Sequence, residues 1–80
     1  MKVRVLYFAS LRERAGCAQS DEETPDGTTV GLLWETIRAR SAFAGAAVRP
    51  GFSVNGQWCD ASRSLSDGDE VGLLPPVSGG

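Results

Sequence analysis

Apolar and polar residues alternate in short runs along this chain, separated by Gly, Pro and Asp, with one segment of helical period between them. Lys2 to Phe8 is the first run. Val3, Val5 and Tyr7 fall on one face of a strand, and Lys2, Arg4, Leu6 and Phe8 fall on the other. Because Leu6 and Phe8 are themselves apolar, the pattern predicts a central strand whose second face is covered toward its C-terminal end. Ser10 is the expected cap of a short helix through Leu11-Arg12-Glu13-Arg14-Ala15, which Gly16 stops. The hydrophilic passage from Gln19 to Asp26 predicts a weak edge strand, closed by a Pro25-Asp26-Gly27 turn.

The helical period lies further on. Val30, Leu33, Trp34 and Ile37 recur at i, i+3, i+4 and i+7, behind Thr28 or Thr29 as cap, which predicts a helix laid on a sheet. Trp34 is its core anchor, while Glu35, Arg38 and Arg40 belong to the solvent side. The small residues from Ser41 to Ala47 predict a loose turn or short helix anchored by Phe43. Phe52-Ser53-Val54, Asn55-Gly56 and Gln57-Trp58 have the form of a two-residue hairpin, since Asn-Gly suits a type I′ turn. Leu65 is the plug of the following loop, Ser66-Asp67-Gly68-Asp69 is a tight turn, and Glu70 to Leu74 is the last strand, stopped by Pro75-Pro76. The predicted order is β-α-β-α-β-β-β, an α+β chain with one domain over 1–74 and a flexible tail over 75–80.

Length narrows the functions available. Eighty residues make one small domain, burying about 60–65% of the surface its unfolded chain exposes, with little room for a deep catalytic pocket. No run approaches the ~18 consecutive apolar residues of a membrane span. Eight Lys and Arg against ten Asp and Glu give a net charge of −2, an even mixture that argues against nucleic-acid binding. The absence of His removes histidine acid–base chemistry and most metal clusters. Cys17 and Cys59 lack CxxC spacing, so they are expected to be reduced packing or surface residues. No secretory or transit pattern opens the chain, and the cytoplasm is the expected location.

Few side chains invite chemistry. Asp67, Asp69 and Glu70 lack the twelve-residue ligand series of an EF-hand and are expected to be solvated turn residues. Asp21, Glu22 and Glu23 form a charged edge, with attraction to a basic partner as the functional alternative. Arg12 and Arg14, two apart on a short helix, make a poor phosphate clamp. The end of the chain is more promising. Pro75 and Pro76 stiffen the base of Pro75-Pro76-Val77-Ser78-Gly79-Gly80 and hold it clear of the sheet. Gly79 and Gly80, without Cβ atoms, are narrow enough to thread a channel and present a terminal carboxylate.

Taken together, Leu6-Tyr7-Phe8-Ala9-Ser10-Leu11-Arg12-Glu13, Thr29-Val30, Val54-Asn55, Asp67-Gly68-Asp69-Glu70-Val71 and the terminal Pro75 to Gly80 resemble the small, sulfur-carrying subunits of molybdopterin synthases, which are ubiquitin-like β-grasp proteins. The resemblance implies a mixed twisted sheet grasping one main helix and a chain with no catalysis of its own. It implies that a ubiquitin-activating-like adenylyltransferase consumes ATP to adenylate Gly80, and that a sulfurtransferase system converts the acyl adenylate to a thiocarboxylate. No stably bound cofactor is expected, only these transient C-terminal species. The large synthase subunit is the expected partner, in a heterotetramer of two small and two large subunits, with neither nucleic acid nor membrane involved. Gly80 would carry sulfur to cyclic pyranopterin monophosphate, Gly79 would provide clearance, and Pro75, Pro76, Val77 and Ser78 would line the partner's channel. Phe8, Leu11 and Leu74 would supply an apolar docking patch. The rival reading is a β-grasp carrier or modifier for tRNA thiolation, thiamine synthesis or protein conjugation.

Overall fold

The computed structural model describes residues 1–40, 43 and 49–75. Its elements run β1 (Lys2–Tyr7), α1 (Ala9–Ala15), β2 (Gln19–Glu23), α2 (Val30–Arg38), β3 (Gly51–Val54), β4 (Gln57–Cys59) and β5 (Glu70–Leu74). This is the order the sequence pattern predicts. The strands form one mixed sheet in the order β2-β1-β5-β3-β4. The last strand therefore enters the middle, parallel to β1 and antiparallel to β3. The expected turn or short helix over 41–47 lies, apart from Phe43, outside the described residues.

One face of the sheet holds the core. Val3, Val5 and Tyr7 of β1, Val71 and Leu73 of β5, and Val54 of β3 pack with Val30, Leu33, Trp34 and Ile37 of α2. Thr29 caps α2 by accepting from the Leu32 amide at 3.2 Å. Thr28 instead closes the preceding turn, its hydroxyl donating to the Pro25 carbonyl at 2.6 Å. Phe43 stacks on Tyr7 and meets Trp34 edge-on, with centroids 6.2 and 5.6 Å apart, respectively. Asn55 and Gly56 take φ of 51° and 82°, the left-handed pair that a tight hairpin requires.

Several expectations are corrected. Ser10 does not cap α1: the helix starts at Ala9, Phe8 occupies the cap position in extended conformation, and no side-chain cap bond forms. Gly16 ends the helix as expected, at φ 75° with its amide donating to Arg12 O. The second face of β1 is not covered at its C-terminal end, for Leu6 is half-buried and Phe8 is 42% exposed. Asp67 and Asp69 are more than solvated turn residues. Asp67 accepts the Lys2 amide at 2.7 Å, and Asp69 accepts the Ser66 amide at 2.7 Å and Asn55 Nδ2 at 3.0 Å.

The charged edge is also divided. Strand parity turns Asp21 and Glu23 outward, opposite Arg4 and Lys2, and turns Glu22 inward opposite Val3. Glu22 is buried there and accepts two hydrogen bonds from Arg40 at 2.5 and 3.0 Å, plus one from Ser20 at 2.7 Å. Arg40 is thus a tether between the end of α2 and the edge strand rather than only a solvent-side charge. Its hydrogen bonds hold the Glu22 carboxyl below its ordinary value of 4.5, against the opposing effect of burial.

A carboxylate with a depressed folded pKa contributes stability above its unfolded pKa, and that contribution disappears as the pH falls through the folded value. Glu22→Gln should therefore lose about 1–2 kcal/mol near neutral pH, as expected for a charged hydrogen bond with one partly solvated partner. Its stability should also fall less steeply on acidification below 4.5. Urea midpoints measured against pH for both proteins check this. Parallel acid limbs would show that Glu22 is not a source of the acid sensitivity.

Candidate functional site

Because α2 lies on one side of the sheet, the side chains on the other side meet no second layer among the described elements. Two cross-strand rows define the C-terminal part of this outer face. The first is Leu6, Gly72, Ser53 and Trp58, successive partners across β1, β5, β3 and β4. The second pairs Leu74 with Gly51, with Phe8 following the end of β1. Trp58 is 72% exposed on the short edge strand. These residues form an apolar platform at the end of the sheet where β5 stops.

The two glycines shape it. A Cβ on Gly51 would lie 2.9 Å from Cζ3 of Trp58, so the missing side chain lets the indole lean across β3. A Cβ on Gly72 would run into Ser53 Oγ and stand 3.4 Å from Cε2 of Phe8 and 3.5 Å from Cδ1 of Leu74. Both bare positions are filled from neighbouring strands. Side chains that would otherwise stand apart are brought close to the sheet.

Of the three residues expected to form a docking patch, Phe8 and Leu74 lie on this outer face. Leu11 does not: it is 0% exposed and joins the core cluster. The α1 helix has one apolar side to bury, and Leu11 is the residue that seals α1 to the sheet, so it is removed from the docking set. Pro75 is half-buried immediately after β5. Pro76, Val77, Ser78, Gly79 and Gly80 lie outside the described residues.

Trp58, Leu6 and Ser53 were not legible as surface candidates. Their signal was parity: once β3 and β4 pair around Asn55-Gly56, Ser53 and Trp58 must face the same way as Gly72 and Leu6, and Val54 must face the core.

The opposite half of the outer face is charged. Lys2 pairs with Glu23 at 3.9 Å and Arg4 with Asp21 at 3.5 Å, both pairs exposed. Such pairs contribute about 0–1 kcal/mol and chiefly set register and solubility. Two open clefts border Lys2, one with Met1, Glu23, Thr24 and Pro25, the other with Arg4, Asp21, Gly68 and Glu70. They lie at the start of β1, the far end of the sheet from Leu74.

The remaining candidates assemble no reactive centre. Among the described residues, no three His, Cys, Asp or Glu side chains converge as a metal site. Cys17 is exposed, Cys59 is half-buried, and both are free thiols. Burial pushes the Cys59 thiol up, which keeps it protonated and weakly nucleophilic. Asp60 is held below its ordinary value by hydrogen bonds from Ser62, a local turn rather than an acid–base pair. What the described surface offers is an exposed apolar patch beside the point where β5 runs into Pro75.

Comparison with known proteins supplies the family. The profile of the ThiS family matches residues 5–80. The molybdopterin synthase sulfur carrier subunit of Chlamydomonas reinhardtii is 39% identical and is covered over 100% of both chains. A solved structure described as putative molybdopterin converting factor, subunit 1, from Pyrococcus furiosus superposes with a TM-score of 0.83 at 36% identity, over 96% of this chain and 99% of that one. The ubiquitin of Caldiarchaeum subterraneum shares the fold alone, with a TM-score of 0.63 at 17% identity over 100% of this chain and 98% of that one. No described helix is long and apolar enough to cross a membrane. A matched profile over nearly the full length, on a sheet that grasps a single main helix and sends its central strand into the tail, makes this chain a member of the ThiS family with the ubiquitin-like β-grasp fold.

Proposed function

We propose that the chain is the sulfur carrier subunit of a molybdopterin synthase. The observation that carries this reading is the continuity of β5. Its outward residues Gly72 and Leu74 belong to the apolar platform, and the chain then passes directly through Pro75 into the tail. A partner that covers the platform is thereby placed next to the tail. Six residues follow Leu74, and at about 3.3–3.6 Å each they reach roughly 20 Å into that partner. The names of the full-length relatives support molybdopterin synthase as the assembly.

In this reading a carboxylate oxygen of Gly80 attacks the α-phosphorus of ATP on a ubiquitin-activating-like adenylyltransferase, and pyrophosphate leaves. The acyl adenylate gives the carbonyl a good leaving group. The terminal sulfur of a persulfide, supplied by a sulfurtransferase system, displaces AMP, and thiol reduction of the acyl disulfide leaves the thiocarboxylate. The large synthase subunit then receives Pro75 to Gly80 in a channel while Phe8, Leu74 and Trp58 dock on its surface. Inside the channel, the thiocarboxylate sulfur bonds to a carbon of the cyclic pyranopterin precursor, and water cleaves the resulting thioester, leaving the sulfur on the pterin and restoring the Gly80 carboxylate; two such deliveries complete the dithiolene. Two small and two large subunits form the working assembly, in a cytoplasm that supplies ATP and reduced thiols. Gly79 matters because a Cβ there would widen the tail inside a channel expected to be narrow.

Deleting Gly80 draws the reactive carboxyl back by about 3.3–3.6 Å, far beyond the sub-ångström tolerance of an oriented reaction. The deletion and Gly79→Val should each lose at least about 100-fold in molybdopterin formation while leaving the unfolding midpoint unchanged. Intact-mass analysis after incubation with the activating enzyme, ATP and a sulfur donor should show one oxygen exchanged for one sulfur in the wild type. A fully active Gly80 deletion would overturn the terminal-thiocarboxylate mechanism. A thiocarboxylated wild type that the large subunit cannot use would favour a carrier serving another acceptor.

A further inference from the structure

At the centre of the otherwise apolar first row stands one hydroxyl. Ser53 is flanked across the sheet by Gly72 on β5 and Trp58 on β4. Its Oγ occupies the space left by the missing Gly72 side chain, a point that Phe8 and Leu74 also approach, at 3.4 and 3.5 Å. The side-chain hydroxyls of Ser20 and Ser62 both have protein partners, at Glu22 and Asp60. Among the described residues, no hydrogen bond engages Ser53 Oγ, although the residue is half-buried. No fully buried side-chain polar atom there lacks a partner, so this hydroxyl is not fully enclosed by the described residues.

We infer that Ser53 is a specificity-determining contact of the docking face, its hydroxyl hydrogen-bonding to a polar group of the large synthase subunit. The inference rests on the docking reading above and assigns a role within it. Seating a partner on Phe8, Leu74 and Trp58 strips water from the surface that surrounds Ser53. A hydroxyl desolvated without replacement costs roughly fivefold to a hundredfold in affinity. A surface that offers a matching donor or acceptor escapes that loss, while a purely apolar one does not, so a single hydroxyl separates the right partner from other apolar surfaces. The large subunit is the partner that fits, because the platform is continuous, through Leu74 and Pro75, with the tail which that subunit receives in the proposed function.

The test measures the affinity of the full-length chain for the large subunit in four forms: wild type, Ser53→Ala, Ser53→Cys and Phe8→Ala. Cysteine keeps the shape of serine, with a somewhat larger γ atom, but hydrogen-bonds weakly, so read beside alanine, which removes the γ atom, it separates bonding from packing. The expected result is a loss of about fivefold or more for both Ser53 variants, with urea midpoints close to wild type. Weaker binding by Ser53→Ala alone would overturn the hydrogen bond in favour of packing. Unchanged or tighter binding by both Ser53 variants, with Phe8→Ala still impaired, would overturn the role of Ser53 while leaving the docking face intact. Unimpaired Phe8→Ala would remove the docking face and the Ser53 contact with it.

Discussion

The central position of β5 is the constraint on which the rest of the structure depends. A strand that is hydrogen-bonded on both sides, parallel to β1 and antiparallel to β3, cannot shift by one residue without exchanging its faces. Val71 and Leu73 must reach the core beneath α2, and Gly72 and Leu74 must then face outward. The register that completes the core is the same register that completes the platform. It also fixes the point at which the backbone leaves the sheet for Pro75. Fold, apolar outer face and tail root are thus set by one strand, and in the proposed function this ties the point where the tail leaves the sheet to the surface the partner would cover.

The outer face divides along the strand direction. Near the start of β1, ion pairs link Lys2 to Glu23 and Arg4 to Asp21, which keeps that half hydrated. Near its end, Leu6 and Phe8 join Leu74 and Trp58, while Gly51 and Gly72 let the neighbouring side chains settle over bare backbone. A partner gains from desolvating only the second half. The inner face is secured independently by the Tyr7, Trp34 and Phe43 cluster and by the Glu22–Arg40 tether. Residues of the proposed docking face are therefore largely separate from residues that hold the fold.

Most of the fold was legible because its signals were local: alternation in β1, the 3.6-residue stripe of α2, Asn55-Gly56, and the glycine that ends α1. The errors have a shared cause. Burial of Glu22 and exposure of Phe8 depend on which elements cover which face of a strand, and that is a property of topology rather than of the residues' own polarity. Leu11 stands within a surface-associated motif yet faces the core, since a seven-residue helix docks through whichever apolar side chain points inward. The start of α1 escaped detection because its cap is Phe8, an apolar residue that makes no side-chain cap bond, and because no residue type signals the positive φ of 49° at Ala9. Trp58 was visible as a hairpin residue but not as part of a platform, because a platform exists only when four strands are set side by side.

The most direct test of this account is amide hydrogen exchange on the full-length chain, free and saturated with the large synthase subunit. Binding should slow exchange along the outer rows, at Leu6, Phe8, Ser53, Trp58 and Leu74, and through the tail beyond Pro75. Exchange at Leu32, Glu35 and Thr36 on the exposed side of α2 should not change. Protection concentrated on α2, with the outer rows of the sheet unaffected, would contradict the claim that the central strand unites docking face and tail.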